Sequence, residues 1–152
     1  MSNTNVGNVG EDFLLSYCNQ LGLNAEKAKN RTAWDIKIND ITYEVKTATE
    51  DVHNKFQFNH FRTHRQYEAA ICLGISPNEI KFDVLTKNEL LKQKLVSMEK
   101  GANASYKWTR PKRDLYDITK FKEMILEFTQ EFEEEKQREK ENIERRKKIG
   151  QS

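Results

Sequence analysis

The stretch Trp34-Asp35-Ile36-Lys37-Ile38-Asn39-Asp40-Ile41-Thr42-Tyr43-Glu44-Val45-Lys46 decides the fold and most of the chemistry of this chain. Apolar residues alternate with polar ones on both sides of Asn39-Asp40, and that pair has the composition of a two-residue turn. The pattern predicts a β-hairpin with one apolar face, and such a face needs another element to cover it.

Three charged side chains of this hairpin are placed to meet. Glu44 and Lys46 lie two residues apart, so they project from the same face of their strand. Folding at Asn39-Asp40 returns Asp35 to the neighbourhood of Glu44. The pattern therefore predicts that two carboxylates and one ammonium group converge at one end of a small sheet.

Such a cluster suits the hydrolysis of phosphodiester bonds. Mg²⁺ takes oxygen ligands, typically one or two carboxylates together with phosphate and water. The metal polarises the phosphoryl oxygen and acidifies bound water, and a neighbouring lysine such as Lys46 can orient or deprotonate the attacking water. Glu11, near the start of a predicted helix, is a candidate for a further metal contact or for holding an outer water.

An amphipathic helix is predicted before the hairpin and is the expected cover for its apolar face. Residues 1–9 are small and polar and predict a flexible start. From Glu11 the apolar residues recur at helical spacing, and Gly22 ends the pattern. These apolar residues are Phe13, Leu14, Tyr17, Cys18 and Leu21.

The segments after the hairpin complete an α/β pattern. The continuously apolar run 69–75 predicts a central strand buried on both faces, and the alternating run 80–85 is expected to pair beside it. Phe56-Gln57-Phe58 fits either a strand or a helix. The remaining predictions are a polar helix over 62–68, a short helix over 89–95, a polar and basic loop over 101–113 and a small strand over 116–118.

In this order of elements the chain resembles the PD-(D/E)XK nuclease superfamily, which includes type II restriction endonucleases and archaeal-type Holliday junction resolvases. The residues that carry the resemblance are Glu11, Asp35 and Glu44-Val45-Lys46, within roughly residues 7–87. Trp34 stands where the family often has proline. The resemblance implies a restriction-endonuclease-like α/β fold, a mixed β-sheet flanked by helices. It also implies that Asp35 and Glu44 bind metal, that Lys46 acts at the attacking water and that Glu11 is an auxiliary ligand.

Two further candidate catalytic residues follow the Glu-x-Lys strand. Several members of the family place Gln or His there, so the resemblance makes Gln57 and His60 candidates, and Arg62 and Arg65 candidates for binding DNA phosphates. The other interpretation is that the phenylalanines of this segment belong to the core and that its polar residues begin a solvated helix.

The segment 105–113 interleaves aromatic residues with cations, which suits contact with DNA, because cations neutralise phosphates and aromatic rings stack or wedge. The alternative is an ordinary surface loop in which Trp108 packs down as an anchor. The candidates for DNA contact are Lys107, Trp108, Arg110, Lys112 and Arg113.

A long helix is predicted from Thr119 onwards. Apolar residues recur at helical intervals as far as Phe132, after which almost every residue is charged or polar. We expect this helix to be docked at its start and charged and solvated at its end, with Arg145-Arg146-Lys147-Lys148 in solvent. The chain is therefore divided into a nuclease domain over 1–118 and a C-terminal helix over 119–152.

The composition of the chain says more about where the protein is located than about what it acts on. The 26 Lys and Arg residues nearly balance the 24 Asp and Glu residues, so net charge does not point to nucleic acid. No signal peptide or bilayer-spanning run is visible, so we expect a soluble cytoplasmic protein without membrane contact. Cys18 and Cys72 lie in apolar segments without metal-ligand spacing and are expected to be buried free thiols.

Together with the resemblance, these observations predict a Mg²⁺-dependent endodeoxyribonuclease; the resemblance implies DNA rather than RNA, and a small restriction-type endonuclease acting on duplex DNA. Mn²⁺ is expected to substitute for Mg²⁺, and no small-molecule cofactor is expected. Because cutting both strands needs two active sites, a homodimer is expected. The alternatives are a structure-selective nuclease similar to Holliday junction resolvases and a non-catalytic DNA-binding subunit with a nuclease fold. A structural protein built on the charged helix would leave the carboxylate cluster of the hairpin unexplained.

Overall fold

A tight turn at Asn39-Asp40 joins the two strands of the predicted hairpin, β2 (Ile36–Ile38) and β3 (Ile41–Thr49). Both turn residues have left-handed backbone, with φ of 50° and 68°. A two-residue turn of this kind needs positive φ at both positions, which Asn and Asp tolerate better than most residues. The predicted hairpin is confirmed. The computed structural model describes residues 3–30 and 33–150.

Four more strands extend the hairpin into a mixed sheet: β1 (Ala25–Lys27), β5 (Ala69–Ile75), β6 (Ile80–Thr86) and β9 (Tyr116–Asp117). The strand order is β1-β2-β3-β5-β6-β9. Strand β5 runs parallel to β3 and antiparallel to β6, and nearly all of its residues are buried. The predicted central strand and its neighbour are therefore confirmed, since a strand covered on both faces reads as a continuous apolar run.

One face of this sheet is covered by helix α1 (Asn3–Gln20), which buries Leu14 and Cys18. At Gly10 the helix comes so close to β3 that a Cβ atom would lie 2.0 Å from Oγ1 of Thr47. The prediction of a flexible start is wrong for residues 3–9, because they belong to the helix. Residues 1 and 2 lie outside the described residues.

The opposite face is covered by a second sheet, formed by β4 (Lys55–Phe61), β7 (Val96–Glu99) and β8 (Ser105–Pro111) in the antiparallel order β4-β8-β7. The prediction of a loop over 101–113 is therefore wrong. The α/β class is confirmed, but the mixed sheet has a helix on one face and a second sheet on the other. Residues of both sheets pack together in a core, called the second core to distinguish it from the residues buried under helix α1. Its buried residues are Ala48, Phe56, Phe58, Phe61, Tyr67, Ala70, Cys72, Leu85, Leu90, Trp108 and Leu115.

Two predicted helices differ from the structure. Residues 62–68 contain turns and no helix. One reason is that Glu68 bonds to the hairpin instead of facing solvent: its Oε1 accepts a hydrogen bond from the backbone N–H of Thr42 at 3.1 Å. Helix α2 (Lys87–Leu91) is earlier and shorter than predicted, and it begins with a capping box formed by Thr86 and Glu89.

Both cysteines are free and buried, as predicted. Burial raises the pKa of the Cys18 thiol to about 12 and raises the pKa of the Cys72 thiol well above its ordinary value. Thiols in such surroundings remain protonated at neutral pH and are poor nucleophiles and metal ligands. The two cysteines therefore serve as small core residues.

The chain divides into two compact units, residues 1–122 and 123–152. Helix α3 (Phe121–Gly150) forms the second unit from Glu123 onwards, and its described side chains beyond Phe132 are exposed. The predicted domain boundary after residue 118 stays a prediction. Among residues 3–30 and 33–150, no helix combines the length and apolar character needed to cross a membrane.

Gly74 of β5 marks a close approach between the two sheets of the first unit. A Cβ atom there would lie 2.6 Å from Cε2 of the buried Phe56 ring. We expect Gly74→Ala to lower the free energy of unfolding by about 1–3 kcal/mol, because the ring must move within a packed core. Urea denaturation measures the change.

The control for this experiment is Gly7→Ala, because Gly7 lies in helix α1 and a Cβ atom there would meet nothing within 4 Å. Replacing an unhindered helical glycine with alanine is expected to stabilise the protein by roughly 0.5–1 kcal/mol. If both variants are stabilised, the Phe56 ring yields without cost and the two sheets are not closely packed at Gly74.

Candidate active site

A cleft of about 380 Å³ lies where the hairpin, helix α1 and strand β4 meet. Its walls bring together side chains that are far apart in the sequence. They include every residue predicted to be catalytic and one arginine predicted to bind DNA: Glu11, Asp35, Glu44, Lys46, Gln57, His60 and Arg65.

Asp35 enters the cleft from the residue just before β2. Its backbone N–H donates to the carbonyl of Tyr43 at 2.9 Å, and its own carbonyl accepts from the N–H of Ala28 at 2.9 Å. Its side-chain Oδ2 accepts a hydrogen bond from the N–H of Val45 at 2.8 Å, and the residue is 6% exposed. These bonds fix the carboxylate against β3, close to Glu44.

Glu44 is fully buried in β3. Burial raises the pKa of its carboxyl group to about 7; the neighbouring Asp35 acts in the same direction, whereas Lys46 and Arg65 oppose it. The Oε1 atom accepts a hydrogen bond from Arg65, but Oε2 is buried and accepts none from the described residues. A buried carboxylate beside a second carboxylate is stabilised by any cation that reaches both.

Lys46 lies one pleat further along β3. Glu44 is paired with Ala70 and Lys46 with Cys72 of β5, so both side chains leave the same face of the sheet. The Nζ atom of Lys46 lies 6.0 Å from the centre of the Phe61 ring. The ammonium group therefore stands beside the carboxylate pair in a partly apolar wall of the cleft.

Arg65 spans the two carboxylates. One guanidinium nitrogen, Nη2, lies 3.5 Å from Oδ1 of Asp35, and the other, Nη1, donates to Oε1 of Glu44. The side chain of Arg65 is only 12% exposed, and its backbone carbonyl accepts a hydrogen bond from Nζ of Lys87. Arg65 was predicted to bind a DNA phosphate; the structure places its charge on the predicted metal ligands.

Glu11 lines the cleft from helix α1 and is 7% exposed. In the described part of the chain, no three His, Cys, Asp or Glu side chains are arranged to hold a metal ion. Glu11 lies in the same cleft as Asp35 and Glu44, and its role as an auxiliary metal ligand stays a prediction. The pair of carboxylates still fits Mg²⁺, which commonly takes one or two carboxylates and fills its other positions with water and phosphate.

Gln57 and His60 lie on β4, across the cleft from the hairpin. Nε2 of Gln57 donates to Oδ2 of Asp51 at 3.2 Å. His60 has a φ of 61° at an irregularity of the strand between Phe58 and Phe61, and its ring Nδ1 lies 3.0 Å from Oε1 of Glu99. A non-glycine residue in left-handed backbone is uncommon and is often fixed by its surroundings at a functional position.

Asn59 is a further polar residue of the cleft, beside the predicted Gln57 and His60. It lies between Gln57 and His60, and its Oδ1 atom is buried without a hydrogen-bond partner in the described structure. Asp51 also lines the cleft, where it accepts bonds from the N–H groups of His53 and Lys55. The signal for Asn59 was present in the alternation of the segment, but only its neighbours matched a family pattern.

The cations predicted to bind DNA lie outside this cleft, apart from Arg65, and several are already paired. Nη1 of Arg110 lies 3.1 Å from Oδ2 of Asp83, and Nζ of Lys112 lies 3.1 Å from Oε1 of Glu50 and 3.0 Å from Oε1 of Glu79. Arg62 lies 3.9 Å from Glu99, and Arg113 is exposed beside Asp114. Lys107 of β8 is partly exposed.

Trp108 is 3% exposed and belongs to the second core. The guanidinium of Arg110 lies 4.6 Å from the centre of its ring. Stacking of this ring on a base would require the core to open, so Trp108 has the position of a packing anchor. Any DNA contact from this strand would fall to its cations.

Comparison with known proteins gives a similarity of fold. No protein-family model matches the sequence, and no curated protein matches it. The bacterial homing endonuclease I-Ssp6803I has a similar structure, with a TM-score of 0.51 and 11% sequence identity, over 72% of this chain and 75% of that chain. The chain therefore shares its fold with an endonuclease.

Proposed function

We propose that this chain is a Mg²⁺-dependent endodeoxyribonuclease of the PD-(D/E)XK superfamily, with its active site in the cleft between the hairpin, α1 and β4. The observation that carries the proposal is the convergence of Asp35, Glu44 and Lys46 in one cleft of about 380 Å³. The fold shared with a homing endonuclease supports the same class of reaction. Both the metal and the DNA substrate belong to the proposal.

The residues of the cleft divide the work of hydrolysis between them. Asp35 and Glu44 would hold Mg²⁺, which when bound polarises a phosphoryl oxygen and acidifies water. Lys46 leaves the sheet beside Glu44, where its ammonium group can orient the attacking water or stabilise charge that develops on the phosphate. The water oxygen attacks phosphorus, the P–O3′ bond breaks, and the products carry a 5′-phosphate and a 3′-hydroxyl.

The opposite wall of the cleft is suited to holding the substrate. Gln57 and Asn59 present amides, and the His60 ring is held in orientation by Glu99. Such groups donate hydrogen bonds to phosphate oxygens, which positions a DNA backbone without reading its sequence. Glu11, on the helix side, would hold a water molecule rather than complete a ligand set.

We further propose a restriction-type endonuclease that acts on duplex DNA as a homodimer. The chain supplies one set of Asp35, Glu44 and Lys46, so the cutting of both strands needs two copies. The similarity of fold to a homing endonuclease supports an endonuclease. A four-way junction is the alternative substrate, as in the resolvases of the same superfamily.

Cleavage of plasmid and of labelled duplex oligonucleotides in Mg²⁺ tests the proposal directly. We expect cleavage by the wild type, none in EDTA, and a loss of about 10²-fold in rate for Lys46→Ala, the usual contribution of one acid–base or charge-stabilising group. The matched control is Lys37→Ala, which removes a lysine of the same hairpin that lies outside the cleft and 3.6 Å from Glu26. This control is expected to cut as the wild type does.

Other outcomes separate the competing functions. Cleavage confined to four-way junctions would assign the chain to the structure-selective nucleases. Tight DNA binding with no cleavage of plasmid, duplex or junction, unchanged by Lys46→Ala, would reject a nuclease and leave a DNA-binding subunit. Cleavage that persists in EDTA would reject the metal.

A further inference from the structure

The salt bridges of Arg65 involve both carboxylates that are proposed to hold a metal ion. Its guanidinium lies 3.5 Å from Oδ1 of Asp35 and donates to Oε1 of Glu44. The other Asp35 oxygen is held by the N–H of Val45 at 2.8 Å, which leaves Oδ1 as the atom that faces a cation. One arginine therefore contacts an oxygen of each carboxylate and offsets part of their negative charge.

We infer that Arg65 is a built-in counter-cation that competes with a divalent metal ion for Asp35 and Glu44, and so sets how tightly this site binds metal. The inference rests on the metal site of the proposed function. It goes beyond that function, because it assigns Arg65 to the affinity of the site and not to the chemical step. Arg65 is thus a positioning residue of the carboxylate pair.

Burial makes this counter-cation necessary. Glu44 is fully buried and Asp35 is 6% exposed, so water screens their mutual repulsion poorly. Removing one partner from a buried ionic group leaves an uncompensated charge, which is among the most destabilising changes a side chain can undergo. Arg65 therefore offsets part of the negative charge of the pair, and a metal ion bound to the same carboxylates would take over that role.

The backbone of Arg65 is held by hydrogen bonds to neighbouring residues. Its carbonyl accepts a hydrogen bond from Nζ of Lys87, which stands 4.5 Å from the centre of the Tyr67 ring, and its N–H donates to the carbonyl of Arg62 at 3.3 Å. The side chain lines the cleft. A phosphate bound in the cleft would offer the guanidinium other oxygen partners.

The test measures Mn²⁺ binding in the absence of DNA, by the loss of the electron paramagnetic resonance signal of free Mn²⁺. Wild type, Arg65→Gln and Arg65→Lys are titrated with MnCl₂, and Asp35→Asn serves as the blank for binding elsewhere. We expect Arg65→Gln to bind Mn²⁺ at this site about tenfold more tightly than the wild type. Arg65→Lys, which keeps the charge but not the fork that spans both carboxylates, is expected to fall between the two.

The matched control is Arg62→Gln. Arg62 lies three residues away and pairs with Glu99 rather than with Asp35 or Glu44, so its loss is expected to leave Mn²⁺ binding unchanged. Equal Mn²⁺ affinities for wild type, Arg65→Gln and Arg65→Lys would overturn the inference. An affinity gain shared by Arg62→Gln would also overturn it, because general loss of positive charge would then account for the change.

Thermal unfolding in EDTA supplies a second readout that does not depend on metal. Arg65→Gln is expected to unfold at a lower temperature than the wild type, and Glu44→Gln added to it is expected to recover most of the loss, because the uncompensated charge has gone. If Arg65→Gln fails to fold, Arg65→Lys carries the Mn²⁺ comparison and the double variant carries the unfolding comparison. Additive effects of the two substitutions would overturn the inference.

The outcomes also separate this inference from the proposed function. A tenfold gain in Mn²⁺ affinity without cleavage of any DNA would support the competition and reject the nuclease. DNA cleavage in Mg²⁺, with equal Mn²⁺ affinities for the wild type and the Arg65 variants, would support the nuclease and reject the competition. If no variant binds Mn²⁺ above the Asp35→Asn blank, both the competition and the proposed metal site are rejected.

Discussion

Cleavage of DNA is expected to fall by at least about 10³-fold when Asp35 is replaced by asparagine, since a catalytic metal supplies several kcal/mol and each 1.4 kcal/mol corresponds to about tenfold in rate. The side-chain oxygen of asparagine can still accept the hydrogen bond that Val45 N–H gives to Asp35 Oδ2 at 2.8 Å. The hairpin is therefore expected to keep its geometry while the site loses a negative ligand. Single-turnover cleavage in Mg²⁺ measures the loss.

The control for this prediction is Asp12→Asn. Asp12 follows Glu11 on helix α1, but it is exposed and pairs with Lys27 at 3.3 Å, outside the cleft. Its replacement is expected to leave the cleavage rate within about twofold of the wild type, as for most surface substitutions. A rate for Asp35→Asn that matches Asp12→Asn would remove Asp35 from the active site.

The free energy of unfolding, measured in EDTA, is expected to decrease as the pH rises from about 4.5 to about 7, and Glu44→Gln is expected to abolish most of that decrease. Burial raises the pKa of Glu44 from an ordinary 4.5 to about 7, so in this window the folded protein keeps a proton that the unfolded chain has lost. Below this window both states are protonated and Glu44 contributes no difference. Above it the full cost of burying the charge is present, roughly 3 kcal/mol at 1.4 kcal/mol per pH unit.

Urea denaturation at closely spaced pH values measures this dependence. The control is Glu131→Gln, which removes an exposed carboxylate of helix α3 and is expected to leave the pH profile of the wild type unchanged. Glu44→Gln is therefore expected to cut DNA poorly and yet to be more stable than the wild type at pH 8. A wild-type profile that rises through the window, or a Glu44→Gln profile identical to it, would contradict the burial cost assigned to Glu44.

The elements that could be predicted from the sequence are those in which local pattern and burial agree. The turn at Asn39-Asp40 uses residues that tolerate positive φ, and the alternation on either side indicates which face is covered. The run 69–75 is covered on both faces, and its continuous apolar sequence predicts a strand buried in this way. Because the hairpin was predicted correctly, Asp35, Glu44 and Lys46 were also expected to converge at one end of the sheet.

The second sheet could not be predicted because its strands carry mixed signals. Strand β8 buries Trp108 on one side but interleaves it with Lys107 and Arg110, and the cations masked the alternation that marks a strand. The partner of Arg110 is Asp83, a residue of the other sheet. A basic segment therefore resembled a solvated loop, although its charges are paired across the layers.

The contacts of Arg65 could not be predicted from the sequence for a different reason. Its partners, Asp35 and Glu44, precede it by 30 and 21 residues, and the segment 62–68 shows polar composition without any sign of tertiary contact. A residue of this type in a polar segment is ordinarily solvated. Only the path of the chain from β4 back to β5 turns the side chain into the cleft.

The order in which the chain builds its two sheets has a consequence for folding. Strands β3 and β5 are direct neighbours in the mixed sheet, yet the chain passes through β4 of the other sheet between them. Segments of the two layers therefore alternate along the chain, and we expect the two layers to fold together. The proposed active site takes residues from both layers, so we expect its geometry to form in the same cooperative step as the core and not in a chain truncated before β5.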